Sequence, residues 1–178
     1  MKSHTDLKEQ LDWVWRLATV YALMAMLFVL NVTAISYPFA GVLQAPFLIM
    51  AIYYWSVFRP TLLPFWLVFA AGILVDLLSA LPIGLTAFVF VVVRWLVADQ
   101  RRFLMGQPFI MMWSGFIVVL LIVSFIEWLL FSLILQSAQG LRSAMVFVAL
   151  GSALFPLVSI ILYLSHKLLP GQRSNFVS

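Results

Sequence analysis

The chain has 178 residues, of which 65% are hydrophobic and 9% charged, and its mean hydropathy is +1.14. A soluble domain carries about 45–50% apolar and about 25% charged residues, so a soluble globular domain and a disordered chain are both excluded. The net charge of +4 comes with no basic run interleaved with aromatics, which argues against nucleic acid and suits basic cytoplasmic loops.

Cysteine is absent, which removes disulfides, thiolate metal sites and cysteine nucleophiles. The two histidines, His4 and His166, lie near the chain ends and offer neither a bis-histidine haem pair nor a metal cluster. The reading is a small all-α polytopic membrane protein with no metal site and no cofactor.

A membrane helix needs about 20 apolar residues, and polar breaks divide the chain into six such runs. A mixed-charge polar lead, Met1–Asp12, comes first. The apolar run after it shows no convincing small-x-small cleavage site, so it reads as a retained span and not a signal peptide. The predicted spans are Trp13–Ser36, Phe39–Phe58 with Pro46 inside it, Leu62–Leu81, Ile83–Ala98, Phe109–Leu135 and Ser143–His166. The fourth is the shortest, and whether it crosses fully is left open. Continuous apolar runs favour helices over the alternating pattern of a barrel. The longest connections, Asp99–Pro108 and Gln136–Arg142, are too short to hold a soluble domain. Residues 1–178 therefore read as one transmembrane helical domain, with a polar tail at 167–178.

Orientation follows from the basic residues. With both termini in the cytoplasm, the inner side collects Lys2, Lys8, Arg16, Arg59, Arg101, Arg102, Lys167 and Arg173. Arg142 alone falls outside, and Arg94 lies within span four. Trp13, Trp15, Trp55, Trp95 and Tyr163 sit at proposed span ends and read as interfacial anchors.

Three charges lie within spans, where each is costly. Arg94 is about 6 Å of helix rise from the inner end of span four. It reads as snorkelling to the headgroups, with pairing to an acid as the other possibility. Asp76 lies about one turn from the outer end of span three, with Gly72 and Ser79 on the same face and Ala80 beside them. Small residues there let a second helix approach, while Pro82 and Gly84 set a tight outer turn. Asp76 reads as a packing and capping carboxylate, or as a ligand or proton group. Glu127 is about 12 Å from the outer end of span five, and reads as bonding a neighbouring helix or handling a substrate. The two acids have no nucleophile, base or completed metal set beside them, so a catalytic pair is not argued for. In span six a kink is expected at Pro156, where the Ser152 hydroxyl can partly compensate the freed carbonyl and Gly151 permits close approach.

Taken together, Pro46–Gly84 runs PFLIMAIYYWSVFRPTLLPFWLVFAAGILVDLLSALPIG. A proline opens the second span (Pro46), Tyr54 and Trp55 stand near its inner end, and Arg59 and Pro60 form the turn. G-x-x-x-D-x-x-S follows as Gly72, Asp76 and Ser79, with Gly84 after it. This ordered set resembles the MreD family of bacterial rod shape-determining membrane proteins, and the chain length and apolar spans suit that family. The resemblance implies a non-enzymatic inner-membrane protein that associates with MreC, a bitopic periplasmic partner, and with the cytoskeletal protein MreB. It also implies membership of the elongation machinery that contains the RodA glycosyltransferase and its penicillin-binding transpeptidase, and hence a role in peptidoglycan synthesis. The family is similar in organisation to the substrate-binding membrane components of vitamin transporters.

Two function classes follow. One is a scaffold for cell-wall elongation that binds partners and membrane lipid through helix surfaces, loop tips or an outer cavity. The other is a small-molecule-binding transporter component, with Asp76 and Glu127 lining an outward pocket and the Asp99–Pro108 loop meeting an energising partner. A lipid-directed enzyme would need a nucleophile and base brought together, and only scattered serines and two acids are present.

Overall fold

A computed structural model describes residues 18, 21–32, 35–37, 41–43, 46–79, 82–135 and 141–168. The described residues form six α-helices: α1 (Tyr21–Val32), α2 (Phe47–Phe58), α3 (Phe65–Leu78), α4 (Leu85–Leu104), α5 (Phe109–Leu135) and α6 (Leu141–Leu168). A short antiparallel hairpin, β1 (Ile35–Tyr37) and β2 (Gly41–Leu43), joins α1 to α2, pairing Ser36 with Val42. The Met1–Asp12 lead, Trp13, Trp15, Ala80, residues 136–140 and the tail beyond 168 lie outside the described residues.

Helix α5 coincides with its predicted run, and α6 extends its run by two residues at each end. Both are long and apolar enough to cross a membrane by length and composition. Three ranges need correction. Ile35 and Ser36, predicted to end span one, lie in β1. Gly41–Leu43, predicted within span two, form β2, and the described helix begins only after Pro46. Proline lacks an N–H and its ring clashes with the preceding turn, so it starts a helix more readily than it sits inside one. Helix α4, in turn, runs through Arg101 and Arg102 to Leu104, shortening the predicted Asp99–Pro108 loop to Met105–Pro108. Arg142, placed in an outer loop, belongs to the first turn of α6.

With 12 residues, α2 rises only about 18 Å, and it forms the centre of the bundle. Every residue from Leu48 to Val57 is buried, and α2 packs against α4 and α6. Helix α1 reaches it through Leu27 in the core and through Asn31, whose Oδ1 accepts from the Leu48 N–H at 3.3 Å. Helix α5 reaches it through Tyr53, which meets Phe116 edge-on and donates its hydroxyl to the Met112 carbonyl at 2.9 Å. An all-apolar helix with no polar face must be covered by other helices or by hydrocarbon, and here other helices cover it. The outer helices show the complement, with Trp66, Phe69, Phe125, Leu133, Leu157 and Ile160 exposed. Such a surface suits hydrocarbon, where packing and hydrogen bonds, not water exclusion, hold helices together.

The aromatic anchors divide accordingly. Trp95 and Tyr163 are exposed on the outer surface, but Trp55 is 0% exposed in the core. Its place near a span end suggested an interfacial ring; the enclosure of α2 by its neighbours overrides that reading.

Candidate functional site

The turn between α3 and α4 collects four of the singled-out residues. Gly72 lies where α3 crosses α4, and a Cβ there would sit 2.3 Å from the Ala87 Cα. Only glycine permits that approach. One turn further, Asp76 is 0% exposed. Its Oδ2 accepts from the Gly84 N–H at 2.8 Å and its Oδ1 from the Thr86 N–H at 3.0 Å. These are first-turn N–H groups of α4, which have no partner within their own helix. A carboxylate also complements the positive end of the helix dipole. Gly84 caps α4 at φ 99°, in the left-handed region, with open space around its missing Cβ, so the residue is required for conformation and not for room. Ser79 ends α3, its N–H bonded to the Val75 carbonyl.

The middle and the far end of α4 are each held by an arginine, Arg94 and Arg101, seven residues apart and hence on one face. Arg94 is only 6% exposed. Its Nε donates to the Leu63 carbonyl at 3.1 Å and its Nη2 to the Pro60 carbonyl at 3.3 Å, with the guanidinium 5.0 Å from the Phe65 ring centre. The Arg101 Nε donates to the Val57 carbonyl at 2.8 Å. Arg94 therefore does not snorkel to headgroups, and among the described residues it pairs with no acid. It turns inward because the α2–α3 connection, a 3-10 turn at Pro60–Leu62 between Arg59 and Leu63, presents carbonyls that helix geometry leaves unsatisfied. Arg59 ends α2 with its N–H on the Trp55 carbonyl, and Pro60 opens the 3-10 turn, where its missing N–H is harmless. Tyr54 and Trp55 lie on the buried α2 just before that turn.

Pro46 opens α2, its carbonyl taking the Met50 N–H at 3.0 Å. The site of Gly151 on α6 is close to both Pro46 and Leu120, so a Cβ there would meet both within 3 Å. Five residues on, Pro156 lacks the N–H that would satisfy the Ser152 carbonyl. The Ser152 hydroxyl does not compensate, since it bonds the Ala149 carbonyl. The freed carbonyl instead accepts from the Trp113 indole of α5 at 2.9 Å. A proline defect in one helix thus becomes a tie to the next.

Glu127 is half-buried on α5 and takes no part in the hydrogen bonds of Asp76 at the α3–α4 turn. Neither acid lines any of three described cavities. One lies between α5 and α6 around Ser124, Trp128 and Val148, one under α2 near Tyr54 and Gln107, and one between α1 and α3 near Phe28 and Ala71. Both oxygens of Asp76 are engaged by backbone, and among the described residues neither a carboxylate pair nor a cavity built on these acids is found. Among the described residues there is no group of three His, Cys, Asp or Glu able to hold a metal.

The interior polar groups thus act mainly on backbone atoms of neighbouring helices. Trp113, Tyr53 and Arg101 do this work without having been singled out for it. Only Trp113 left a signal, because a proline inside a long apolar run promises an unpaired carbonyl in need of a donor. These features define a helical membrane protein whose polar chemistry joins helices. Residues 11–169 match the family described as rod shape-determining protein MreD. The chain belongs to that family, which places it among membrane proteins with a role in rod-shape determination. No curated protein and no solved structure matches it.

Proposed function

We propose that this chain is a non-enzymatic scaffold of the cell-wall elongation complex. It crosses the bacterial inner membrane six times as one domain, both termini in the cytoplasm, and binds an MreC-type bitopic partner. Through that partner it joins MreB and the RodA–transpeptidase machinery, and so regulates cell shape and peptidoglycan synthesis. The observation that carries this reading is the family match over residues 11–169. The distribution of Lys and Arg supports the orientation, and the use of Asp76 and Arg94 on backbone atoms fits contact better than chemistry. The helix organisation likened to vitamin-transporter components rests on the family likeness alone.

Depletion of the protein should round rod-shaped cells, and affinity purification from membranes should recover the MreC-type partner. Normal rods after clean deletion would defeat the reading. Cytoplasmic placement of the Met105–Pro108 turn is checked by single cysteines, since the chain has none of its own.

A further inference from the structure

At the end of the bundle where α4 turns into α5, a cavity of about 290 Å³ opens between α2, that turn and α6. Its wall includes Tyr54, Phe58, Gln107, Phe109, Ser159 and Tyr163. Tyr54 is only 2% exposed, yet its hydroxyl is not among the fully buried polar atoms left without a partner and is reachable from the cavity it lines. A donor set in a mostly apolar wall can engage an acceptor brought in from outside the chain. Ser159 is also buried; its hydroxyl donates to the Pro156 carbonyl at 2.8 Å and keeps its lone pairs free to accept.

The surroundings set the class of ligand. Ile160 and Tyr163 are exposed on the lipid-facing side of α6, so the cavity is open to the bilayer. Its other edge is the α4–α5 turn, where helices end at headgroup level and Gln107 is exposed. Arg101 stands one turn before Leu104, a lining residue, and Arg102 is exposed beside it. Between Trp95 and Met112 the only acid is Asp99. An apolar slot with a few fixed polar groups is the usual make-up of a small-ligand site, and arginines at the end of a membrane helix attract anionic headgroups.

We propose that this cavity is a binding site for an anionic phospholipid. Its acyl chain enters past Ile160, an ester oxygen accepts from Tyr54, and its phosphate lies toward Arg101 and Arg102. The site requires only that this end of the bundle meet a leaflet surface, so it stands independently of the scaffold reading and of which leaflet is involved.

The test uses the full chain purified in a non-ionic detergent and titrated with short-chain phosphatidylglycerol, phosphatidylcholine or inorganic phosphate, with thermal unfolding as the readout. Near a hundredfold excess over Kd, phosphatidylglycerol should raise the melting temperature by about 5–11 °C, because a ligand of the folded state stabilises it. Phosphatidylcholine should give a smaller shift and inorganic phosphate none. Tyr54→Phe keeps the ring and should weaken the apparent Kd about three- to tenfold, the loss of one hydrogen bond. Ile160→Trp fills the slot from an exposed position and should abolish the shift. Gln107→Leu, on the exposed turn, should weaken binding and carries the test should the tryptophan variant fail to fold. Equal shifts from the two lipids, or a shift from phosphate alone, would overturn the proposal. So would undiminished phosphatidylglycerol binding in folded Ile160→Trp, which would put the lipid elsewhere on the belt. Absence of any lipid effect would leave the cavity to a protein side chain and equally overturn it.

Discussion

Replacing Asp76 isolates the capping of α4. Its carboxylate takes two backbone N–H groups at 2.8 and 3.0 Å from a position with no exposure. A hydrogen bond to a charged group contributes about 1.5–3 kcal/mol, and loss of a helix cap costs about 0.5–2 kcal/mol. The two bonds share one carboxylate, and both donors sit on half-buried residues that regain some solvation when the acid is removed. These factors place Asp76→Ala at about 2–4 kcal/mol of destabilisation. Asp76→Asn keeps one acceptor oxygen but turns an NH2 toward the second N–H, so roughly half of that loss is expected. The assay is reversible unfolding in mixed micelles of a mild detergent and SDS, followed by tryptophan fluorescence. A loss below about 0.5 kcal/mol for Asp76→Ala, or an asparagine variant as stable as wild type, would refute the cap as a source of stability.

Three further outcomes follow from the same geometry. Gly72→Ala should destabilise by about 1–3 kcal/mol, because α3 and α4 must separate to admit a Cβ; unchanged stability by the same assay would show that the crossing can relax. Trp113→Phe should cost about 1–2 kcal/mol, and less in a Pro156→Ala background, where the restored N–H satisfies the Ser152 carbonyl; equal costs in the two backgrounds would refute the tie. Arg94→Lys should lose at least one of its two carbonyl contacts and about 1–2 kcal/mol, since an ammonium lacks the planar fork. Full stability of the lysine variant would return Arg94 to a headgroup role.

Much of the site was legible as a list of residues and little of it as contacts. Gly72, Asp76 and Ser79 share a face by helical spacing, and Pro82 and Gly84 announce a turn, so a capping carboxylate was foreseeable from 13 consecutive positions, 72–84. The same local logic failed for Arg94. Its acceptors lie 31 and 34 residues away, and a side chain near a helix end reads equally well as pointing to headgroups. At Pro156 the vacancy was foreseeable but its donor was not, because Trp113 stands 39 residues from Ser152 and reaches it only once α5 and α6 pack.

Composition settled the solvent: a chain this apolar must put its surface in lipid, and continuous apolar runs must satisfy their backbone as helices. Spacing also settled where α5 and α6 end, to within a few residues, whereas α4 runs on from the predicted Ala98 to Leu104 and a hairpin took the end of span one and the start of span two. Tertiary structure decided which helix is central, since α3 and α5 are as apolar as α2 yet keep exposed faces, whereas α2 is enclosed by α1, α4, α5 and α6. It also decided what each buried polar group bonds. Hydrocarbon offers no water as a fallback, so every interior donor and acceptor depends on which remote backbone atom the packing brings within reach.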